Sequence, residues 1–188
     1  MRLVVAGDTE LFELLVRRHQ RPLVNYLYRM LGELEPAVDM AQEVFTKAYL
    51  ALSRYDERYR FTTWLYRIAS NSAIDHLRRR RLSTVSLDQP VHGPDGDITI
   101  ELPSPGTSPA QELEYRETVR DLSQAMQALP ASYRQLLLLR HAQHLRYDEI
   151  ATVSRLPLGT VKNRIFRARV LLRRLLDEKN APPSGGRP

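Results

Sequence analysis

Six residues near the end of the chain have the chemistry to hold DNA. Lys162, Asn163, Arg164, Phe166, Arg167 and Arg169 bring four cations, an amide and a ring into little more than two helical turns. Arginine can bridge the edge of guanine and asparagine that of adenine, each pairing worth about 1–3 kcal/mol of discrimination, whereas lysine serves mainly the phosphates. At about 100° per residue, Val161, Ile165, Ala168 and Leu172 share one stripe. Asn163, Phe166, Arg167 and Val170 share the opposite one. One face can dock on a core while the other enters a groove. A solvated basic face has a similar composition, so the preceding residues decide between the two. Tyr147 to Leu172, YDEIATVSRLPLGTVKNRIFRARVLL, reads as a short helix, a tight turn and a second helix. That is the pattern of a helix-turn-helix, whose second helix lies in the major groove. Arg155 stands where such turns favour glycine for a positive φ, at a cost of about 1 kcal/mol if the geometry is kept. Arg146 stands where a Ser or Thr N-cap is expected.

A second cluster lies upstream. Tyr55, Tyr59, Arg60, Phe61, Trp64 and Tyr66 mix rings and cations in a way that suits stacking on unpaired bases, worth about 1–3 kcal/mol per base. The helix expected from Trp64 then repeats Arg67, Asn71, Asp75 and Arg78 beside an apolar side of Trp64, Leu65, Ile68 and Ala69. That stripe can follow a nucleic-acid strand. Core packing competes for the rings, Trp64 above all, and a solvated helix end favoured by the macrodipole competes for Arg78 to Arg81. A third set, Asp39, Gln42, Glu43 and Thr46, forms an acid-amide face in an otherwise basic chain. It reads either as solvated surface or as a protein interface.

Catalytic sets are not apparent. His141 and His144 sit at i and i+3 without cysteine or an HExxH pattern, and there is no Walker loop or nucleophile elbow. No catalytic residue, metal or cofactor is expected. The chain of 188 residues carries a formal charge of +6 and no cysteine. Such a balance favours a polyanionic partner, and the lack of thiols fits a reducing cytoplasm. The apolar run Leu3 to Ala6 is too short for a signal peptide or membrane span. The expectation is a soluble, cytoplasmic protein.

The elements that must position these residues are all helical. Asp8 is a plausible N-cap for a first helix through Leu11, Phe12, Leu14 and Leu15, and Pro22 is expected to open a second, ended by Gly32. A third starts near Pro36, with one stripe running from Ala37 to Leu52. Ser53 to Thr62 reads as a loop, with Thr62 or Thr63 capping the next helix. These elements make a first domain over residues 1–81. Residues 82–107, rich in proline and glycine and carrying Asp88, Asp95, Asp97 and Glu101, read as a linker. Stretched, about 25 residues span about 85 Å; relaxed, they average nearer 30 Å. A capping box at Ser108 to Gln111 opens the second domain, residues 108–176, and a tail over 177–188 has too little apolar content to fold. The fold class expected is all-α: two small helical domains, the second a helix-turn-helix domain.

Taken together, these segments resemble the bacterial sigma factors, specifically the extracytoplasmic-function (ECF) branch. DMAQEVFTKAYLAL (Asp39 to Leu52) and FTTWLYRIASNSAIDHLRRR (Phe61 to Arg80) are similar to that family's polymerase-binding and promoter-melting helices. ALPASYRQLLLLRH and DEIATVSRLPLGTVKNRIFRAR are similar to its helix-turn-helix domain. The resemblance implies that Asp39, Gln42, Glu43 and Thr46 face the clamp helices of RNA polymerase core. It implies that Arg60, Phe61, Trp64, Arg67, Asn71, Asp75 and Arg78 hold or support the melted, single-stranded minus-10 element. Lys162, Asn163, Arg164, Phe166 and Arg167 would read the double-stranded minus-35 element, and the acidic linker would thread toward the polymerase cleft. An anti-sigma factor is a further implied partner. Ser154 and Arg155 depart from the Leu and Gly common at the family's turn. The rival reading is a free-standing helix-turn-helix regulator with a helical sensing or dimerisation domain, which has no need of an aromatic, basic surface beside an acid-amide helix. A nucleic-acid-processing enzyme would need a catalytic constellation that is not evident here.

Overall fold

The computed structural model describes residues 9–84 and 109–180. The expected cap at Asp8, residues 85–107 of the linker, Ser108 of the capping box and the last eight residues lie outside the described residues. In chain order the elements are α1 (Thr9–Leu31), α2 (Leu34–Leu50), a 3-10 turn (Leu52–Arg54), α3 (Phe61–Thr84), α4 (Pro109–Ala128), α5 (Ala131–His141), α6 (Tyr147–Ser154) and α7 (Leu158–Asn180). Every element is helical, as the apolar periodicity predicts.

Four boundaries differ from the sequence reading. Pro22 does not open a second helix; it lies inside α1. Proline removes one helical hydrogen bond and crowds the carbonyl of Arg18. Both residues are exposed, so water can serve the freed carbonyl, while the stripe of Phe12, Leu23, Tyr26, Leu27 and Met30 stays buried on either side of the proline. Helix α3 begins at Phe61 rather than Trp64 and runs to Thr84, past the boundary expected at 81. Thr62 and Thr63 therefore lie within its first turn rather than before it. Helix α7 continues to Asn180, four residues beyond the point at which apolar content falls away. The Lys179 ammonium reaches Asp121 and Gln124 on α4, which holds that last turn.

The first three helices pack around Leu23, Tyr26, Leu27, Val44, Phe45, Leu65 and Ala69, and the last four around Leu136, Leu139, Ile150, Val153, Val161 and Ile165. These two groups do not stand apart. Helix α3 packs against α6, and α1 against α4 and α5. At one end of the joint Arg134, only 6% exposed, aims its guanidinium at the end of α1. It donates to the carbonyl of Met30, to the side chain of Gln127 and to the carbonyl of Leu129 at 3.2 Å. Gln127 Nε2 donates to the Arg29 carbonyl at 2.9 Å. A cation is well placed there, because the last carbonyls of a helix lack partners and carry the negative end of its dipole. Burial lowers the Arg134 pKa to about 10, still charged at neutral pH.

Candidate nucleic-acid interface

The helix-turn-helix is assembled from the inside. Val161, Ile165 and Ala168 are buried, which turns Lys162, Asn163, Phe166 and Arg167 outward; Arg164 is half-buried at the edge of that face. Phe166 is 67% exposed, a large ring with no core to fill. The turn keeps the geometry that normally calls for glycine. Arg155 has φ 55 and ψ 39, and its backbone N–H donates to the carbonyl of Ala151. Arg146 is the N-cap of α6 although its side chain cannot accept a backbone proton. Glu149 meets part of that need, its Oε2 accepting the Arg146 backbone N–H at 2.9 Å. Arg169 turns from the outward face toward α5, where it meets His141 Nε2 at 3.0 Å. Burial first, then Arg169 and its neighbours, lower the His141 pKa.

The aromatic cluster is only partly outward. Phe61 is 7% exposed and stacks among Trp64 at 5.9 Å, His19 at 5.4 Å and Tyr55 at 6.5 Å, measured between ring centroids. It belongs to the core in this arrangement, not to an open stacking platform. Trp64 is half-buried, edge-on to Tyr55 at 5.2 Å, so the two readings of that ring meet in one residue. Tyr66 is buried against Tyr26, and its hydroxyl donates to Gln143. Arg60, Asn71 and Arg78 are exposed, Arg67 and Asp75 half-buried. Asp75 accepts from Arg78 at 3.0 Å, so the carboxylate supports the guanidinium. Helix α3 thus offers a line of polar groups, with its first turn facing the other half of the chain.

On α2 the side opposite Ala37, Ala41, Val44 and Ala48 presents Asp39, Gln42, Glu43 and Thr46, all exposed. Thr46 turns its hydroxyl back to the Gln42 carbonyl at 2.9 Å. Glu43 pairs with Lys47 at 2.7 Å, and Lys47 donates to Ser72 of α3 at 3.2 Å. All four side chains therefore keep an acceptor or donor toward solvent.

The sequence reading missed Thr63, Gln143 and the second role of Glu149. Thr63 Oγ1 donates to Glu149 Oε1 at 3.3 Å, across 86 positions of sequence. Glu149 carried a signal only as the third residue after Arg146, and no local pattern points to its distant partner.

Comparison with known proteins converges on one family. The model for Sigma-70 region 2 matches residues 15–82, and that for Sigma-70, region 4 matches residues 120–172. The ECF RNA polymerase sigma factor SigW of Bacillus subtilis is 34% identical over 177 residues, covering 94% of both chains. The RNA polymerase sigma-H factor of Pseudomonas aeruginosa is 39% identical over 88% of this chain and 86% of its own. The ECF RNA polymerase sigma-E factor of Escherichia coli K12 is 35% identical over the same shares. Two solved structures share the fold. The sigma factor RpoE of Bartonella quintana, in complex with the anti-sigma factor NepR, aligns with a TM-score of 0.72 at 20% identity, over 90% of this chain and 98% of that one. CnrH, in complex with the cytosolic domain of CnrY, aligns at 0.68 and 23%, over 95% and 96%. The chain belongs to the ECF RNA polymerase sigma factors, non-enzymatic subunits that bind polymerase core and promoter DNA and direct promoter-specific initiation of transcription.

Proposed function

We propose a division of that work among three helices. The outward face of α7, Lys162, Asn163, Arg164, Phe166 and Arg167, reads the minus-35 duplex. The polar line of α3, from Arg60 and Trp64 through Arg67, Asn71, Asp75 and Arg78, holds the melted minus-10 strand, with Phe61 supporting it from the core. The acid-amide face of α2, Asp39, Gln42, Glu43 and Thr46, meets the polymerase clamp. The observation that supports this most is the outward turn of Lys162, Asn163, Phe166 and Arg167 on a helix whose opposite stripe is buried. In this reading the protein works in the cytoplasm, with residues 82–107 tethering the two domains and threading toward the polymerase cleft. No helix among the described residues is long and apolar enough to cross a membrane. An anti-sigma factor is a further proposed partner, by analogy with the complexes of RpoE and CnrH.

Promoter elements about two helical turns apart lie about 70 Å from each other, near the stretched limit of the tether and far beyond its relaxed length. The free chain therefore binds a whole promoter weakly, and polymerase core sets the distance. The test is run-off transcription with core enzyme on promoter fragments selected by the reconstituted holoenzyme. Transcription that depends on both chain and promoter is expected, and Glu43→Lys should weaken core binding without changing duplex binding by the free chain. Unaltered core affinity removes α2 from the polymerase interface. Tight binding of whole promoters by the free chain contradicts the two-point scheme.

A further inference from the structure

Glu149 belongs to the helix-turn-helix half, yet one of its oxygens serves the other half. It is 7% exposed. Oε2 caps α6 through the Arg146 N–H, while Oε1 accepts from Thr63 at 3.3 Å and lies 4.0 Å from Arg60 Nη1. Thr63 is itself only 1% exposed. One turn further along α3, the buried hydroxyl of Tyr66 is tied to Gln143, in the stretch between α5 and α6. A hydroxyl in hydrogen-bond reach and a guanidinium at ion-pair distance, both at the first turn of a helix, suit an oxyanion, because the hydrogen bond, the opposite charge and the positive end of the dipole favour negative charge there. In this structure the oxyanion is a carboxylate carried by α6.

We propose that Glu149 stands in for a DNA phosphate. A backbone phosphate of the melted strand takes the place between Arg60 and Thr63 once α6 leaves, so strand capture and the joint between the domains exclude each other. This rests on the assignment of α3 to the minus-10 strand. The α7 face stays open in the joined state, so the free chain can meet duplex DNA but holds a single strand only in the fraction of molecules whose joint is open. Apparent strand affinity is the intrinsic affinity scaled by that fraction. The second set of joint contacts, at Arg134 and Gln127, adds to closure but lies at the end of α1, away from the strand path.

Two substitutions that touch neither DNA face loosen the joint. Glu149→Gln keeps an amide oxygen to cap α6, as glutamine does in capping boxes, but drops the charge facing Arg60. Gln143→Ala removes the partner of Tyr66. The chain has no cysteine, so dyes attached at Arg17→Cys and Arg120→Cys report the distance between the halves by energy transfer. The strand probe is a labelled single-stranded oligonucleotide from the non-template minus-10 region of a selected promoter. The doubly substituted full chain should lose energy transfer and bind this probe roughly tenfold tighter than the parent, the factor expected when a few hydrogen bonds of a closed state are removed. In holoenzyme, where the domains are already apart, parent and variant should bind promoter equally, which also reports that the variant is folded. Unchanged probe affinity despite lost energy transfer overturns the proposal, and so does unchanged energy transfer. Equal tightening by Glu178→Gln, which removes the same charge from the far end of α7, overturns it as a general charge effect. Failure of the underlying assignment reads out separately, as Asn71→Ala holoenzyme that opens promoters as the parent does.

Discussion

Phe166 and Phe61 are both rings beside arginines on helices assigned to DNA, and the fold treats them in opposite ways. Phe166 is exposed on α7 with nothing beneath it, whereas Phe61 closes the core beneath Tyr55, Trp64 and His19. The same contrast runs through their neighbourhoods. The side chains around Phe166, Lys162, Asn163 and Arg167, are already exposed in the free chain. The first turn of α3 around Phe61 is packed against α6, with Thr63 and Tyr66 engaged by Glu149 and Gln143. An exposed ring can be spent on a ligand, while a buried one supports whatever surface lies above it. In the proposed scheme, duplex reading is built into one local element, and strand capture depends on how two halves of the molecule are arranged.

The largest test of this contrast is a pair of truncations. Phe61→Ala should lower the unfolding free energy of the free chain by about 3–5 kcal/mol, the usual cost of removing a core ring, while Phe166→Ala should change it by no more than about 0.5 kcal/mol. Urea denaturation of the three proteins measures both. Equal, small effects would put Phe61 on the surface after all. Next in size, Arg167→Ala should weaken minus-35 duplex binding by about 1–3 kcal/mol, selectively for promoters bearing the cognate base. Binding titrations on cognate and scrambled duplexes decide it, since uniform loss would make Arg167 a phosphate anchor. The smallest effect concerns the turn that aims α7. Arg155 sits at φ 55, a conformation that strains a residue with a Cβ, so Arg155→Gly should raise stability by about 0.5–1 kcal/mol. Destabilisation instead would mean that the entropy of glycine in the unfolded chain outweighs the relieved strain.

Local signals were legible in proportion to how local their causes are. The two faces of α7 follow from a 3.6-residue period, and so does the side of α2 that carries Asp39, Gln42, Glu43 and Thr46; most of the marked stripes are buried, although Tyr49 is exposed, Val38 and Leu172 are half-buried, and the buried Met40 lies outside the marked stripe. The place of Arg155 between two helices marked it for a positive φ, but a residue with a Cβ there left the shape of the turn open, and the structure keeps the glycine-like geometry. Pro22 was misread because proline is a good opener of helices and a poor interior residue. What overrides that preference is burial of one stripe on both sides of it together with the exposure of Pro22 and Arg18, neither of which a window of sequence weighs. The end of α7 was misplaced for a related reason. Its last turn carries polar ties, from Lys179 to α4 and from Glu178 to Arg174, and little apolar content.

By itself the sequence determined the class of the protein, its all-helical make-up and the outward chemistry of α2 and α7, because periodicity, charge and motif order are written along the chain. Only the tertiary structure decided that the halves pack together, that Arg134 caps the end of α1, and that Glu149 meets Thr63 at the start of α3. Those contacts join residues 86 and 104 positions apart. A hydrogen bond between such partners depends on the relative placement of whole helices, and no local propensity encodes it.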